Sequence, residues 1–435
     1  MSCCHYYKLS EGNESIFTVD VAAIKYGPGA IHELGQDALQ AGLKRVALFT
    51  DKTISELPFF AAATSSLRDA GVDFFIYDEV KVEPTDKSFI AAAEAVANEN
   101  IDGFISIGGG SVIDTCKAAN LYATYPDEFL AYVNAPIGEG KPVPGPLKPH
   151  IACPTTCGTG SECTGIAVFD LLEKEVKTGI ASRALRPTRA VIDPEVTHSL
   201  PNNVVAASGF DVLSHALESY TARPYTERAQ LTDSTLRPMS QGANPYSDMG
   251  CRQALWLTGQ HLVRAVQDAN DIEARHNMMF AATLAGIAFG NSGVHVPHGM
   301  AYSVAGLIKD YQPEGYPTHE PLCPHGISVV VNAPAAFRFT AQASPDRHLE
   351  GAKLLGADTG GAGLEDAGEV LALRLSEMMQ ATKIPNGIGG VGYTQSNVTA
   401  LTDGAIAQQR LLQNSPRSVE RADLESIYSS ALAYW

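Results

Sequence analysis

Two hydrophobic rhythms divide the chain. From about residue 20 to 195, short apolar runs alternate with longer amphipathic stretches. RVALFTD (45–51), FFIYDEV (74–80), DGFISIGGG (102–110) and IAVFDL (166–171) are rich in β-branched or aromatic residues and predict strands. DALQAGL, SSLRDAG and SFIAAAEAVANEN predict helices between them, the last two ending near Gly or Asn. Such alternation implies a parallel sheet with helices on its faces. From about residue 198 the strand rhythm fades. NVVAASGFDVLSHALESY, CRQALWLTGQHLVRAVQD, ARHNMMFAATLAGIAFG and DAGEVLALRLSEMMQ predict long helices instead. DPEVTHSLP (193–201), with two prolines, marks the hinge, so an α/β domain over 1–197 and an all-helical domain over 198–435 are expected. Residues 222–247 hold three prolines and little periodicity, which predicts a long loop of the kind that often serves function.

A chain of 435 residues exceeds a single core, in keeping with two domains. The net charge of −17 argues against a nucleic-acid backbone or an anionic membrane surface as partner. A few cations in a pocket would still admit an anionic small molecule. No run of about 18 uninterrupted apolar residues predicts a membrane-spanning helix. The start, MSCCHYYKLSEGNES, has neither a charged-then-apolar leader pattern nor the Arg-rich character of a transit peptide, and a cytoplasmic protein is expected. Eight cysteines in so long a chain form no disulfide framework, and the cluster Cys153, Cys157 and Cys163 has no zinc-ribbon spacing. They read as reduced, buried small residues.

The strand FISI runs into Gly108, Gly109, Gly110 and Ser111, and VIDTCKAANLY follows as a helix. Glycines let a backbone approach phosphate closely, and a helix start offers free amides. The same pattern also makes a ligand-free turn, and it is not the G-x-G-x-x-G of ordinary Rossmann domains. A second loop, PTTCGTGSE from Pro154 to Glu162, supplies hydroxyls and glycines. Asp51, closing ALFTD, is placed to accept hydrogen bonds from an adenosine ribose and would repel a 2′-phosphate, favouring NAD over NADP.

The second half carries four metal-competent side chains. Asp211 and His215 are four apart, so a helix puts them on one face. His298 in VPHGM and His325 in CPHGI each follow a proline and precede a glycine. Three imidazoles and a carboxylate suit Fe(II) or Zn(II), and Mn(II) and Co(II) also fit. With twelve histidines in the chain, chance alone would produce some carboxylate–imidazole pairs.

Together these motifs are more specific. GGGSxxDxxK (Gly108 to Lys117), PTTxGTGSE, the DxxxH helix and the two HG sites resemble the iron-dependent (group III) alcohol dehydrogenase family, over nearly the whole chain and in the family's order. The resemblance implies a Rossmann-like α/β domain followed by a helical domain, the dehydroquinate synthase-like fold. It implies Asp211, His215, His298 and His325 as metal ligands, Fe(II) expected and Zn(II) the alternative. It assigns Asp51 to the adenosine side of NAD, Gly109, Gly110 and Ser111 to the pyrophosphate, and Thr155, Thr156 and Thr164 to phosphate, ribose or nicotinamide. Asp114 falls within the same cofactor motif, and Lys177 matches a lysine that contacts the nicotinamide ribose.

VEPTD, YVNAPIGEGKPV, GIASRALRPT, SGFDVLSHALESYTARPY and FTAQASPDRHLEGAKLLGADT are similar to a transhydrogenase branch of that family. Its members oxidise 4-hydroxybutyrate to succinic semialdehyde while reducing 2-oxoglutarate to D-2-hydroxyglutarate, with NAD retained. The long 222–247 loop and the long segment between His298 and His325 agree with that branch. Where many members have HGMAH this chain has HGMAY, so Tyr302 takes the place of a histidine in the proton route. His295 is a candidate relay or second support, or equally a satisfied structural histidine. Arg223, Arg228, Arg237 and Lys309 are candidate anchors for the substrate carboxylates. The partners expected are a hydroxy acid or alcohol, an oxo acid or aldehyde, and further copies of the chain in a homo-oligomer. The alternatives are an alcohol dehydrogenase or aldehyde reductase that exchanges NAD(P) each turnover, and a non-catalytic NAD-binding protein.

Overall fold

The computed structural model describes Tyr6 and residues 9–174, 176–316 and 321–435. Cys3, Cys4 and part of the long segment before His325 lie outside the described residues. The chain forms two compact units, one spanning Val21–Ser199 and the other Leu200–Trp435 together with the described residues ahead of Val21. That segment, expected with the α/β half, belongs to the helical unit. Its backbone has no strand rhythm of its own and finds partners there: Thr18 N donates to Gln241 Oε1 at 2.8 Å and Asp20 N to Asn291 Oδ1 at 2.8 Å.

Among the described residues the α/β unit contains eight strands: β1 (Ala23–Tyr26), β2 (Arg45–Phe49), β3 (Asp73–Tyr77), β4 (Gly103–Gly108), β5 (His150–Pro154), β6 (Ile166–Leu171), β7 (Val176–Ala181) and β8 (Arg189–Ile192). Six of them make one parallel sheet in the order β1-β8-β5-β4-β2-β3. Five helices accompany the strands: α1 (Leu34–Gln40), α2 (Lys52–Ser55), α3 (Pro58–Asp69), α4 (Asp86–Ala97) and α5 (Gly110–Thr124). Successive side chains leave opposite faces of a strand, so Leu48 and Ile105 join one core layer and Phe49 and Phe104 the other. β4 and β5 are buried along their whole length, and a strand covered on both faces loses the alternation that would mark it. This explains why HIACP, with its proline and histidine, reads poorly as a strand.

IAVFDL is a strand, but it lies outside the parallel sheet. It pairs antiparallel with β7 in a separate two-stranded sheet, and its burial alternates residue by residue, as expected of a ribbon covered on one face. In the main sheet the chain goes from β2 outward to β3 and then to β4 on the other side of β2. The strand order reverses there, and in open α/β sheets a reversal opens a crevice at the strands' carboxyl ends. Asp51 follows β2 directly, and Gly109 follows β4.

The helical unit comprises α6 (Asn202–Thr221), α7 (Pro245–Gln267), α8 (Ile272–Ser292), α9 (Val296–Gly306), α10 (His325–Val330), α11 (Ala333–Thr340), α12 (Pro345–Leu354), α13 (Ala367–Ala381), α14 (Val398–Ile406), α15 (Gln409–Leu412) and α16 (Arg421–Ser430). Buried residues occur all around α6 and α8, as in central helices packed on every side. The segment predicted as a long loop is irregular up to Asn244, apart from short turns at Tyr225–Glu227 and Ser234–Leu236, and the Asn244 side chain then caps α7. α8 ends at Ser292, Gly293 follows at φ +86°, and α9 leaves at 103° to α8. That turn needs the glycine. Among the described residues no single helix is long and apolar enough to cross a membrane.

Candidate active site

α6 presents Asp211, His215 and Glu218 at spacings of four and three, on one face. The sharp turn before α9 sets His298 in that helix's first turn, and His325 opens α10 immediately after Pro324. Asp211 Oδ1 lies 3.6 Å from His215 Nε2, 3.6 Å from His298 Nε2 and 3.7 Å from His325 Nε2. One donor atom from each of the four lies within 4.8 Å of all the others. Metal bonds of about 2.1 Å in tetrahedral array would separate donors by about 3.4 Å, so this is the spacing of a set with a common centre.

Electrostatics agrees. Asp211 Oδ1 and His298 Nε2 are buried with no hydrogen-bond partner, an unfavourable arrangement that a cation would resolve. Burial pushes the Asp211 carboxyl up, but His215, His325 and His298 outweigh it and hold the group well below the usual carboxylate range. Burial pushes His215 down to about 4, so its ring is neutral at physiological pH, as a metal ligand must be. His298 is buried too, yet the carboxylates of Glu218 and Asp211 outweigh that and raise it to about 9, so a cation bound at Nε2 would have to displace a proton there. Two buried negative charges thus converge on this point, and the donor set fits a divalent cation.

Glu218 is a candidate site residue that sequence reading missed. Its Oε1 accepts a hydrogen bond from His298 Nδ1 at 2.6 Å, and Oε2 accepts from the backbone N–H of His295 at 2.7 Å. One fully buried carboxylate therefore fixes both the ring of His298 and the start of α9. The available signal was the spacing DxxxHxxE, which puts a third polar group on an otherwise buried helix face. Phe289 of α8 stacks on His215 with ring centroids 3.9 Å apart and planes within 5°.

His295, a candidate relay, has both ring nitrogens engaged elsewhere. Nδ1 accepts from Val296 N at 2.8 Å, capping α9, and Nε2 pairs with Thr221 Oγ1 at 3.0 Å. Burial holds it down to about 4, consistent with a neutral structural ring in place of the relay. Tyr302 lies one turn beyond His298 on α9, in a buried cluster with Phe289, Val294 and Leu411.

In the α/β unit, Asp51 caps α2 by accepting from Ile54 N at 2.9 Å, and burial raises its carboxyl. Gly109 caps α5 and Gly110 begins it. A Cβ on Gly110 would come within 2.6 Å of Thr159, and one on Gly109 within 3.2 Å of Thr156, so the two predicted loops lie against each other. Thr155 Oγ1 is buried without a partner, and Thr164 is buried nearby in sequence. Ser111 Oγ accepts from Glu83 N at 3.2 Å. Lys177 is buried against Glu83 at 2.8 Å and Asp170 at 2.9 Å; burial alone would depress it, but the two carboxylates raise it well above its ordinary range.

Asp114, expected at the cofactor, ties α5 to the segments that follow β5. Its Oδ1 accepts from the Ser161 hydroxyl and from Lys117 at 3.3 Å, while Oδ2 accepts from Val168 N at 2.9 Å. Both oxygens accept hydrogen bonds from the chain itself. The proposed carboxylate anchors are divided. Arg223, Arg228 and Arg237 line one cavity, and Lys309 lines another beside the Gly389–Gly392 turn and Tyr393. None of the four clustered donors is among the described residues lining either.

The sequence model for iron-containing alcohol dehydrogenases matches residues 22–194, and the model for the C-terminal part of Fe-containing alcohol dehydrogenases matches residues 238–432. The chain belongs to the iron-containing alcohol dehydrogenase family and is an oxidoreductase. It is 49% identical to the hydroxyacid-oxoacid transhydrogenase of Bos taurus over 96% of this chain and 90% of that one. The Rattus norvegicus transhydrogenase is 48% identical over the same shares. The fold also matches an alcohol dehydrogenase from Oenococcus oeni with a TM-score of 0.82 and 27% identity, covering 96% of this chain and 100% of the other. Both transhydrogenases are mitochondrial proteins, which overturns the expectation of a cytoplasmic one. Composition near the start of the chain was too weak a signal to decide the compartment.

Proposed function

We propose that the protein is a hydroxyacid–oxoacid transhydrogenase, oxidising 4-hydroxybutyrate to succinic semialdehyde and reducing 2-oxoglutarate to D-2-hydroxyglutarate with NAD retained as hydride carrier. The observation that carries this reading is the cluster of Asp211, His215, His298 and His325, three of them buried, in a chain 49% identical to a transhydrogenase. We assign those four residues to Fe(II), with Zn(II) as the alternative. When bound, the metal would make the substrate hydroxyl more acidic and polarise the product carbonyl, while the nicotinamide would take up and return hydride.

The chain's own residues have defined tasks in this reading. Asp211 contributes the only negative charge among the four donors. Glu218 keeps a proton on Nδ1 of His298, so that Nε2 presents its lone pair to the metal. Phe289 fixes the plane of His215. The carboxyl ends of β2 and β4 are assigned to NAD, with Asp51 on the adenosine ribose and Gly109, Gly110 and Ser111 on the pyrophosphate. Thr155, Thr156 and Thr164 take phosphate, ribose or nicotinamide, and the unpartnered hydroxyl of Thr155 supports a ligand there. Lys177, held by two carboxylates, is assigned to the nicotinamide ribose.

Alcohol oxidation releases a proton, and we assign its transfer to Tyr302. Tyr302→Phe should lower kcat about a hundredfold with metal content unchanged. Steady-state kinetics with elemental analysis checks this, and an unaltered kcat would remove Tyr302 from the reaction.

The reading as a whole is tested by incubating the purified protein with 4-hydroxybutyrate and 2-oxoglutarate and adding no nucleotide. Both products should accumulate in equal amounts, and denaturation should release stoichiometric NAD. Turnover that occurs only with added nucleotide would point instead to a conventional alcohol dehydrogenase.

A further inference from the structure

The irregular segment between α6 and α7 gathers Arg223, Arg228 and Arg237 around a cavity of about 230 Å³. The three cations are unequally matched. Arg237 pairs with buried Glu14 at 2.8 Å. Arg223 Nη2 donates to the backbone carbonyl of Glu227, but the Glu227 carboxylate is exposed and lies 3.9 Å away. Arg228 has no carboxylate partner among the described residues. Its Nη2 donates to the neutral Asn414 Oδ1 at 2.9 Å, and its Nε is buried without a hydrogen bond. Burial, and then the charge of Arg223, push the Arg228 guanidinium down to about 10.

A half-buried cation beside a second cation is unfavourable until an anion joins them. A guanidinium fork matches a carboxylate with two parallel hydrogen bonds. Ile16, Leu231 and Pro238 add apolar wall to the same cavity, a surface suited to methylene groups and of no use to a phosphate. We infer that this cavity binds a small dicarboxylate through Arg228 and Arg223, at a site separate from the four-donor cluster. The inference stands apart from the proposed reaction, since it rests on the cavity's own residues. It also has a structural neighbour of consequence. Asn414 Nδ2, on the residue that holds Arg228, donates to the carbonyls of Ser292 at 3.1 Å and Val294 at 3.2 Å, in the turn that sets the direction of α9.

Succinate is the probe, titrated calorimetrically into the purified full-length protein. Wild type should bind it saturably. Arg228→Met and Arg223→Gln should each weaken binding about tenfold or more, with circular dichroism and melting curves showing both variants folded. Arg223 is the more exposed of the two, so its variant serves if Arg228→Met does not fold. His298→Ala, which should abolish turnover, should leave succinate binding intact. The inference is overturned if wild type does not bind succinate, if the arginine variants bind it as wild type does, if His298→Ala abolishes binding, or if inorganic phosphate binds as tightly.

Discussion

Asp211→Asn is expected to lower kcat about a thousandfold or more, because a metal held without its only anionic ligand loses several kcal/mol of the charge stabilisation it supplies. Asparagine has the same shape, so packing in α6 should survive. Asp211 Oδ1 sits 3.6–3.7 Å from all three imidazole nitrogens, and among the described residues it is the one carboxylate of the four-residue cluster. Glu218→Gln should produce a milder form of the same defect. It keeps a group able to accept from His298 but loses the charge that fixes the ring, and metal affinity should fall about 10–100-fold. Metal titration and kcat of the two variants should therefore rank Asp211→Asn below Glu218→Gln, and both below wild type. Unchanged metal affinity in both would show that the cluster is not a metal centre.

The second large effect is expected far from that cluster in sequence. Lys117 is fully buried and donates to Ser161 Oγ at 2.6 Å, to the carbonyl of Ile166 at 2.7 Å and to Asp114 at 3.3 Å. Burial lowers its pKa, Asp114 opposing the shift, and the whole group ties α5 to the loop and ribbon that follow β5. Lys117→Met would leave the Asp114 carboxylate buried without its counter-charge. Breaking a buried pair in this way costs about 3–5 kcal/mol. Urea denaturation should show the α/β unit's transition shifted to clearly lower denaturant, and Asp114→Ala should shift it similarly. If either variant kept full stability and lost only nucleotide binding, the motif's Asp and Lys would belong to the cofactor after all.

That pair shows where local reading stops. G-G-G-S-x-x-D-x-x-K marks a strand, a tight turn and a helix start, and all three are present from β4 into α5. What the Asp and Lys touch is decided by residues 44–54 positions away, Ser161 and Val168 among them. The hydroxyl-rich loop was legible as a companion to the glycines, yet Thr156 and Thr159 fill the space that a Cβ at Gly109 or Gly110 would need. The close approach that favours glycine is made first to the chain itself. In the helical unit the long helices were legible from their apolar period. The short α9 and α10 carry no such period, because HVPHGMAYSVAG and HGISVV are almost uniformly apolar or small, and the proline before each histidine was the signal that a helix begins there.

Residue spacing alone determined that Asp211 and His215 share a helix face, that a glycine turn ends β4, and that an α/β half precedes a helical one. These are consequences of helix and strand periods, which depend only on neighbours. Tertiary structure decided that Glu218 holds His298 from 80 residues away, that IAVFDL leaves the main sheet for a ribbon with β7, and that three arginines of one irregular segment surround a single cavity. Those outcomes depend on which buried polar groups find each other when the chain closes. A buried charge takes whatever partner the packing brings within reach, and no local pattern encodes that choice.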